Sequence, residues 1–540
     1  MTTLGRVVAP LILTLALVAG HLARPERVGA QATEGQGTPQ AQPAEPGPAA
    51  PGATPSPAQG AEPAPKAAPV EPGKTVGVSL REAIALTFAN NLDLQVEAIT
   101  PEIRAAEIGE QQGAFDPTIG AQALYSRDRS PTGSVAAGND TRIAAGQVTL
   151  SQRLPLGTAY ELSYNTDRLK NNSLFSALNP SYSAEVLLQV TQPLLRNFGV
   201  DVNRAGIIIA QRNREAALAT FRGTVQNTLF NTVQTYWALV QAQDALEVAR
   251  ESLRLAQQLL QQNRVQVQVG TMAPIEVTQA EAGVASREEG VIVAEANLRD
   301  AEDRLKRQIL LDPANAFDYT IVPTDRPEFT PVEIELAPNL EAALRFRPEL
   351  EAARIAVRAQ EANLRLARNQ VLPELNLVGS LGLNGLDDDW PGANSDVVSE
   401  ANKQYQWSAG IVFSYPLGNR VARSRLTSAE LALRQAQLQV RTLELQIIEE
   451  VRAAVRAVNA NAQRVQATRE ATRLAREQLT AEQRRLAVGL STSFEVLRLQ
   501  TDLATAQNAE ITAITDYRVS LANLDRVAGV LLNRYGIMVK

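Results

Sequence analysis

The chain has no cysteine, and its one histidine, His21, lies close to the amino terminus. Disulfides, thiolate chemistry, zinc centres and histidine-based acid–base catalysis therefore have no residues to work with. Three methionines in 540 residues leave no soft-ligand tract for copper or silver. Aromatic residues make up only 4% of the chain. Beyond the amino-terminal region no run is apolar enough for a membrane helix, so any membrane insertion has to use strands. A formal charge of −6 gives no basic field for nucleic acid. No Ser/His/Asp set, metal-ligand cluster or phosphate-cradling glycine loop is present, so the sequence offers no enzyme and no cofactor.

What is abundant is Ala, Gln, Leu, Arg and Glu, the composition of long helices. It is arranged twice over. Val269-Gly270-Thr271-Met272-Ala273-Pro274-Ile275-Glu276-Val277 and Val488-Gly489-Leu490-Ser491-Thr492-Ser493-Phe494-Glu495-Val496 align without a gap, 219 positions apart. Each lies between two helical patterns and predicts a helix–turn–helix tip, with Gly270 and Gly489 just past a helix end. Pro274 suits the opening of the returning helix, where no N–H partner is lost.

In chain order, residues 1–32 are expected to be a secretory signal: Arg6, an apolar run and small residues near Ala30. Residues 33–77 are rich in Pro, Ala, Gly and Gln and are expected to be a flexible linker. The first repeat spans 78–312, an inter-repeat segment 313–338, the second repeat 339–535, and a tail 536–540. Each repeat opens with a broken helix, interrupted at Asn90-Asn91-Leu92 in the first and at Arg347-Pro348-Glu349-Leu350 in the second. Strands follow at 118–126 and 374–383, then polar loops at 127–139 and 384–403, then strands at 184–193 and 405–416. Val186, Leu188 and Val190 alternate with their neighbours, and Trp407, Ala409, Ile411 and Phe413 share a face, as in transmembrane strands. Pro117 to Pro193 spans 76 positions against 43 from Pro373 to Pro416. The excess holds an added hairpin, 147–154 with 159–165.

Long helices are predicted over 204–269 and 420–488. Apolar residues recur at 3-4 spacing along both, from Leu229 to Val267 and from Ile448 to Leu486, which argues lateral coiled-coil packing. Each rod would be on the order of 100 Å long. Return helices are expected at 275–310 and 494–532, with a short strand at 319–322. Narrow seams on such rods predict oligomers. The fold class is thus mostly α with membrane β.

This duplicated order, both Val-Gly-x5-Glu-Val tips, the strand ends Gln192-Pro193-Leu194 and Tyr415-Pro416-Leu417, and Arg347-Pro348-Glu349-Leu350 resemble the TolC family of outer-membrane efflux ducts, over about residues 78–535. The resemblance implies a homotrimer with one shared β-barrel in outer-membrane lipid and a hollow α-helical cylinder through the periplasm. The partners it implies are a periplasmic adaptor and an inner-membrane RND, ABC or MFS pump. The adaptor-meeting tips carry over to Val269, Gly270, Val488, Gly489 and Leu490. Glu495 matches an acid that rings the closed entrance in some members; the next expected acid is Arg498 here. The added hairpin is a second departure from the simplest members.

Glu495 admits two readings, a pore-lining acid and the end of a capping box Thr492-x-x-Glu495, and the two are compatible. Glu276 is a further candidate at the constriction, read also as a plain first-turn acid. Arg484, Arg485 and Arg498 are candidates for bridges that hold the tips shut, against the alternative of solvated surface. Trp390, Tyr405 and Trp407 fit either an interfacial girdle or local packing. Asp387-Asp388-Asp389 has no glycine and glutamate at calcium-loop spacing and reads as a solvated outer loop. A competing function is an exported coiled-coil scaffold without a pore, or an adhesion protein of the cell envelope.

Overall fold

Four stretches of helix and a single large sheet carry the architecture. The computed structural model describes residues 75–131, 133, 135–309 and 319–538, so the expected signal and residues 33–74 of the expected linker lie outside the described residues. The linker ends earlier than expected. β1 (Thr75–Val78) pairs in parallel with β6 (Thr320–Pro323), which places Thr75 in register with Thr320.

The broken opening helix forms as α1 (Leu80–Asn90) and α2 (Leu92–Gln112). Ser79 and Glu82 make a full capping box on α1, and Asn91 both ends α1 and caps α2 by accepting from the Leu94 N–H. Four strands follow: β2 (Thr118–Arg129), β3 (Asp140–Arg153), β4 (Ala159–Asn171) and β5 (Ser181–Pro193). After the one-turn α3 (Val200–Asn203) come the long α4 (Ala205–Gln268) and the return helix α5 (Ile275–Ile309). The second repeat supplies α6 (Leu336–Phe346), α7 (Pro348–Gln370), β7 (Glu374–Asp387), α8 (Trp390–Ser399) and β8 (Tyr405–Ser414). It closes with α9 (Arg420–Ala487), α10 (Ser493–Val527) and α11 (Leu531–Arg534).

The two rods, α4 and α9, contain 64 and 68 residues, or about 100 Å each at the α-helical rise. The seams read from the sequence face inward. Leu229, Tyr236, Leu239, Leu246 and Ala256 are buried on α4, as are Val451, Val455, Val458, Val465 and Leu479 on α9. On the sheet side of the waist the helices lie in the order α2, α4, α7, α9, and on the tip side α5, α4, α10, α9. The short helices meet near the waist. Asn91 Nδ2 donates to the Gln308 carbonyl at the end of α5, and Gly529, past α10, lies against Phe346 and Arg347.

The waist holds two apolar clusters, one around Leu229, Tyr236 and Leu305, the other around Ile447, Val451 and Tyr517. Some polar groups there are paired, while Tyr319 Oη and Gln226 Nε2 are buried without a partner. Tyr236 Oη donates to Asp325 at 2.8 Å, and Glu302 pairs with Lys306 at 2.9 Å while accepting from Ile321 N–H. Arg347-Pro348-Glu349-Leu350 is explained by the same packing. Pro348 starts α7, Leu350 is buried, and Arg347 reaches Glu450 on α9 at 2.5 Å.

The sheet differs most from expectation. Its order is β2-β3-β4-β5-β7-β8, antiparallel throughout, so the added hairpin lies within the sheet between β2 and β5. The expected loop at 127–139 is shorter, because β2 runs on to Arg129. That at 384–403 is built instead from the end of β7 and from α8. α8 folds back onto the sheet: Ala393 and Val397 bury against Tyr164 and Ala184, and Trp390 Nε1 donates to Thr166 Oγ1 at 3.2 Å.

Register separates two faces. Ala121, Val148, Tyr164, Val186, Leu383 and Tyr405 form one cross-strand row over all six strands, and Ile119, Leu150, Leu162, Leu188, Leu381 and Trp407 form another on the same face. One residue along, Gln122, Gln147, Asn165, Glu185 and Asn384 make a polar row on the opposite face. Period-two alternation in every strand is what produces the division.

Candidate functional site at the paired helix turns

The two turns share one backbone geometry. In each, the glycine has φ 76°, outside the range side-chain-bearing residues adopt readily. Gly270 N–H donates to Val267 O at 3.0 Å and Thr271 N–H to Gln266 O at 2.9 Å; Gly489 donates to Leu486 and Leu490 to Arg485 at the same two distances. Those are the paired bonds of a Schellman ending, which satisfies carbonyls the helix leaves open. A Cβ on either glycine would meet nothing within 4 Å, so backbone conformation alone selects glycine.

Apolar side chains ring the tips. Val269, Val488 and Leu490 are 71%, 70% and 72% exposed, and Ile275 and Phe494 at the start of the return helices are exposed beside them. The last two are not among the sequence-predicted tip residues, although each lies in the first turn of a return helix, where a tip surface continues.

The return helices start differently. Thr492 Oγ1 accepts from the Glu495 N–H at 3.4 Å, but Glu495 does not return the bond to Thr492. Its carboxylate instead binds Arg498 at 2.8 Å, and Arg498 also reaches Asp502 at 3.5 Å. The expected capping box is therefore half formed, because a guanidinium one turn on competes for the same carboxylate. In the first tip Glu276 turns across the repeat interface: Oε2 accepts from the Ser493 N–H at 3.2 Å. Buried Asn263 completes the joint, donating to the Glu276 carbonyl at 3.2 Å and to Ser493 Oγ at 2.8 Å.

Further bonds fasten the same region. Arg287 on α5 donates to the Leu497 carbonyl at 2.9 Å and to Ser252 Oγ at 3.2 Å, and burial pushes its guanidinium below its ordinary range. Ser491 Oγ donates to Glu482, which together with Arg485 holds that carboxyl below its usual range. Arg498 is raised, first by its bond to Glu495. Beneath lies a small apolar cluster of Leu259, Leu479, Val496, Leu497 and Leu503.

At the opposite end the sheet's apolar face carries Trp407, Ile411 and Phe413, all more than 60% exposed. Past Tyr125 and Tyr182 that face ends in a basic row, Arg127, Arg142 and Lys170. Among the described residues, Asp387, Asp388 and Asp389 bring their carboxylates together. Asp389, though, is the helix cap of α8, accepting from Gly392 N–H at 2.6 Å. No described helix is long and apolar enough to cross a membrane.

The sequence pattern of the family described as "Outer membrane efflux protein" matches residues 159–309 and 339–530. Among solved structures, the CmeC outer membrane channel of Campylobacter jejuni is similar at 18% identity and TM-score 0.61, over 84% of this chain and 86% of that one. The outer-membrane channel OprN is similar at 19% identity and TM-score 0.63, over 83% and 89%. The open state of the MtrE outer membrane channel of Neisseria gonorrhoeae is similar at 18% identity and TM-score 0.57, over 84% and 89%. No curated protein matches the chain in a sequence search.

Proposed function

The chain belongs to the outer membrane efflux protein family, and on that premise we infer that it is a passive exit duct of the outer membrane, extending into the periplasm. One observation carries the reading: a six-stranded sheet with an apolar and a polar face stands at one end of rods about 100 Å long. Where α8 leaves it uncovered, the apolar face meets lipid, with Trp407 and Tyr405 toward the membrane, and Lys170 with Arg127 and Arg142, both also paired to Asp140, stands at the headgroup level. The polar face lines a lumen. The family is one of ducts rather than enzymes. A scaffold without a pore would have no use for an apolar sheet face left as exposed as Trp407, Ile411 and Phe413 are.

Members of the family work with a periplasmic adaptor and an inner-membrane pump, generally as trimers. For this chain the assembly is a homotrimer, and the docking surface is the exposed set Val269, Gly270, Val488, Gly489 and Leu490, extended by Ile275 and Phe494. The constriction is formed near Glu495, Arg498 and Glu276. The pump is of the RND, ABC or MFS class. The first test is fractionation of expressing cells. A heat-sensitive trimer in the outer membrane is expected, and recovery as a soluble periplasmic monomer overturns the reading. Growth of a deletion strain on a toxin panel, beside an assay for missing secreted polypeptides, then identifies the cargo.

A further inference from the structure

The sheet of one copy is open at both ends. Among the described residues β2 and β8 each have one neighbour, and their outer N–H and C=O groups face no strand. In hydrocarbon such edges are not tolerated, because no water replaces the missing bonds. A six-stranded sheet is below the smallest transmembrane barrel, of about eight strands, so one copy does not close on itself. With six antiparallel strands in unbroken order, β2 and β8 run in opposite directions. β8 of one copy can therefore pair with β2 of the next as one more antiparallel ladder. The strands are long enough to cross, at 12, 14, 13, 13, 14 and 10 residues, against the roughly 9–11 a tilted transmembrane strand needs.

In a barrel shared between copies the β2 and β8 edges are the seams, and we propose that the added hairpin, β3 with β4, widens that barrel from a four-strand to a six-strand share per copy. With the three copies of the proposed duct, on which this inference rests, the ring has eighteen strands. The arc per copy supports it. Six strands spaced ~4.8 Å and tilted ~40° span about 38 Å, and four strands would span about 25 Å. On the sheet side of the waist each copy also presents four helices, α2, α4, α7 and α9, which at interaxial distances of ~9 Å span about 36 Å. Six strands match the helical wall beneath them, and the duct passes from helix to sheet without narrowing. An eighteen-stranded ring is about 36 Å across at the backbone, against about 24 Å for twelve strands, a size class that leaves an open aqueous channel. The polar row of Gln122, Gln147, Asn165, Glu185 and Asn384 would then line it, and two of its five members, Gln147 and Asn165, come from the hairpin.

Electron cryomicroscopy of the full chain in lipid nanodiscs tests the count. Eighteen strands in a ring about 36 Å wide is the expected result. Twelve strands, with the hairpin folded off the wall, overturns the inference and leaves the duct intact; particles without any closed membrane ring overturn both. The seam is tested separately, since the chain has no cysteine to interfere. Ile119→Cys, Ala121→Cys or Ala123→Cys on β2, each combined with Ala409→Cys on β8, spans three registers on the outward face. At least one pair is expected to give disulfide-linked oligomers in membranes; no cross-link from any pair overturns the seam.

Discussion

The carboxylate of Glu276, in the first turn of one return helix, accepts the backbone N–H of Ser493 at the start of the other, at 3.2 Å. It therefore serves the helix of the opposite repeat, at the positive end of that helix's dipole. The two tips are joined by a cap that crosses between repeats, supported by Asn263 beneath.

Glu276→Ala should loosen the second tip more than the first. Losing a helix cap costs about 1 kcal/mol, or roughly fivefold in local opening. Amide exchange at Ser493 should accelerate by about that factor, with little change near Val267. Equal acceleration at both tips would show that the carboxylate acts on its own helix.

Arg498 lies between two carboxylates, Glu495 and Asp502. Its removal leaves both acids uncompensated, so Arg498→Ala should raise the preference for potassium over chloride in planar bilayers. Glu495→Ala should shift selectivity the other way. Reversal potentials unchanged in both variants would place this cluster away from the conducting path.

Gly489 has φ 76° and open space where a Cβ would stand. Gly489→Ala should destabilise the tip by about 1–2 kcal/mol through backbone strain alone. Gly290, inside α5 with nothing near its Cβ, should respond with the opposite sign, gaining up to about 1 kcal/mol on replacement by alanine. Thermal unfolding and tip proteolysis of the two variants give the comparison; the same sign for both would refute the conformational account.

Glu482 has its carboxyl held low by Ser491 and Arg485. A depressed folded pKa means stability that is present above the ordinary carboxylate range and lost as pH falls through the folded value. Tip proteolysis should therefore rise only in acid, below the usual glutamate range. In Ser491→Ala the rise should begin at higher pH. Identical pH profiles for the two proteins would exclude this bond as the cause.

Much of the molecule is legible in the residues. The 3-4 apolar seams place α4 and α9 to within a residue or two, because a rod has little besides its own periodicity to decide its length. Gly270 and Gly489 mark the turns because a left-handed residue admits few alternatives. Strand ends are less legible. β2, β3, β4 and β7 extend past their expected limits into polar residues such as Asp128, Asp140, Lys170 and Asn384, where the alternation of hydrophobicity fades although the ladder of backbone bonds continues. Helix α8, with Gly392 and Pro391 in a polar stretch, was legible only as loop. Its helical state rests on packing Ala393 and Val397 against the sheet.

The sequence by itself determined the duplication, the rods, the tips and the strand periodicity, since each is a local pattern repeated along the chain. Only the tertiary structure decided that the added hairpin lies between β2 and β5, that Glu276 caps the opposite repeat, and that Arg498 holds Glu495 away from its capping box. These are choices between partners that the local sequence permits equally. They are settled by which backbone donors, edges and charges the packed rods and sheet bring within reach.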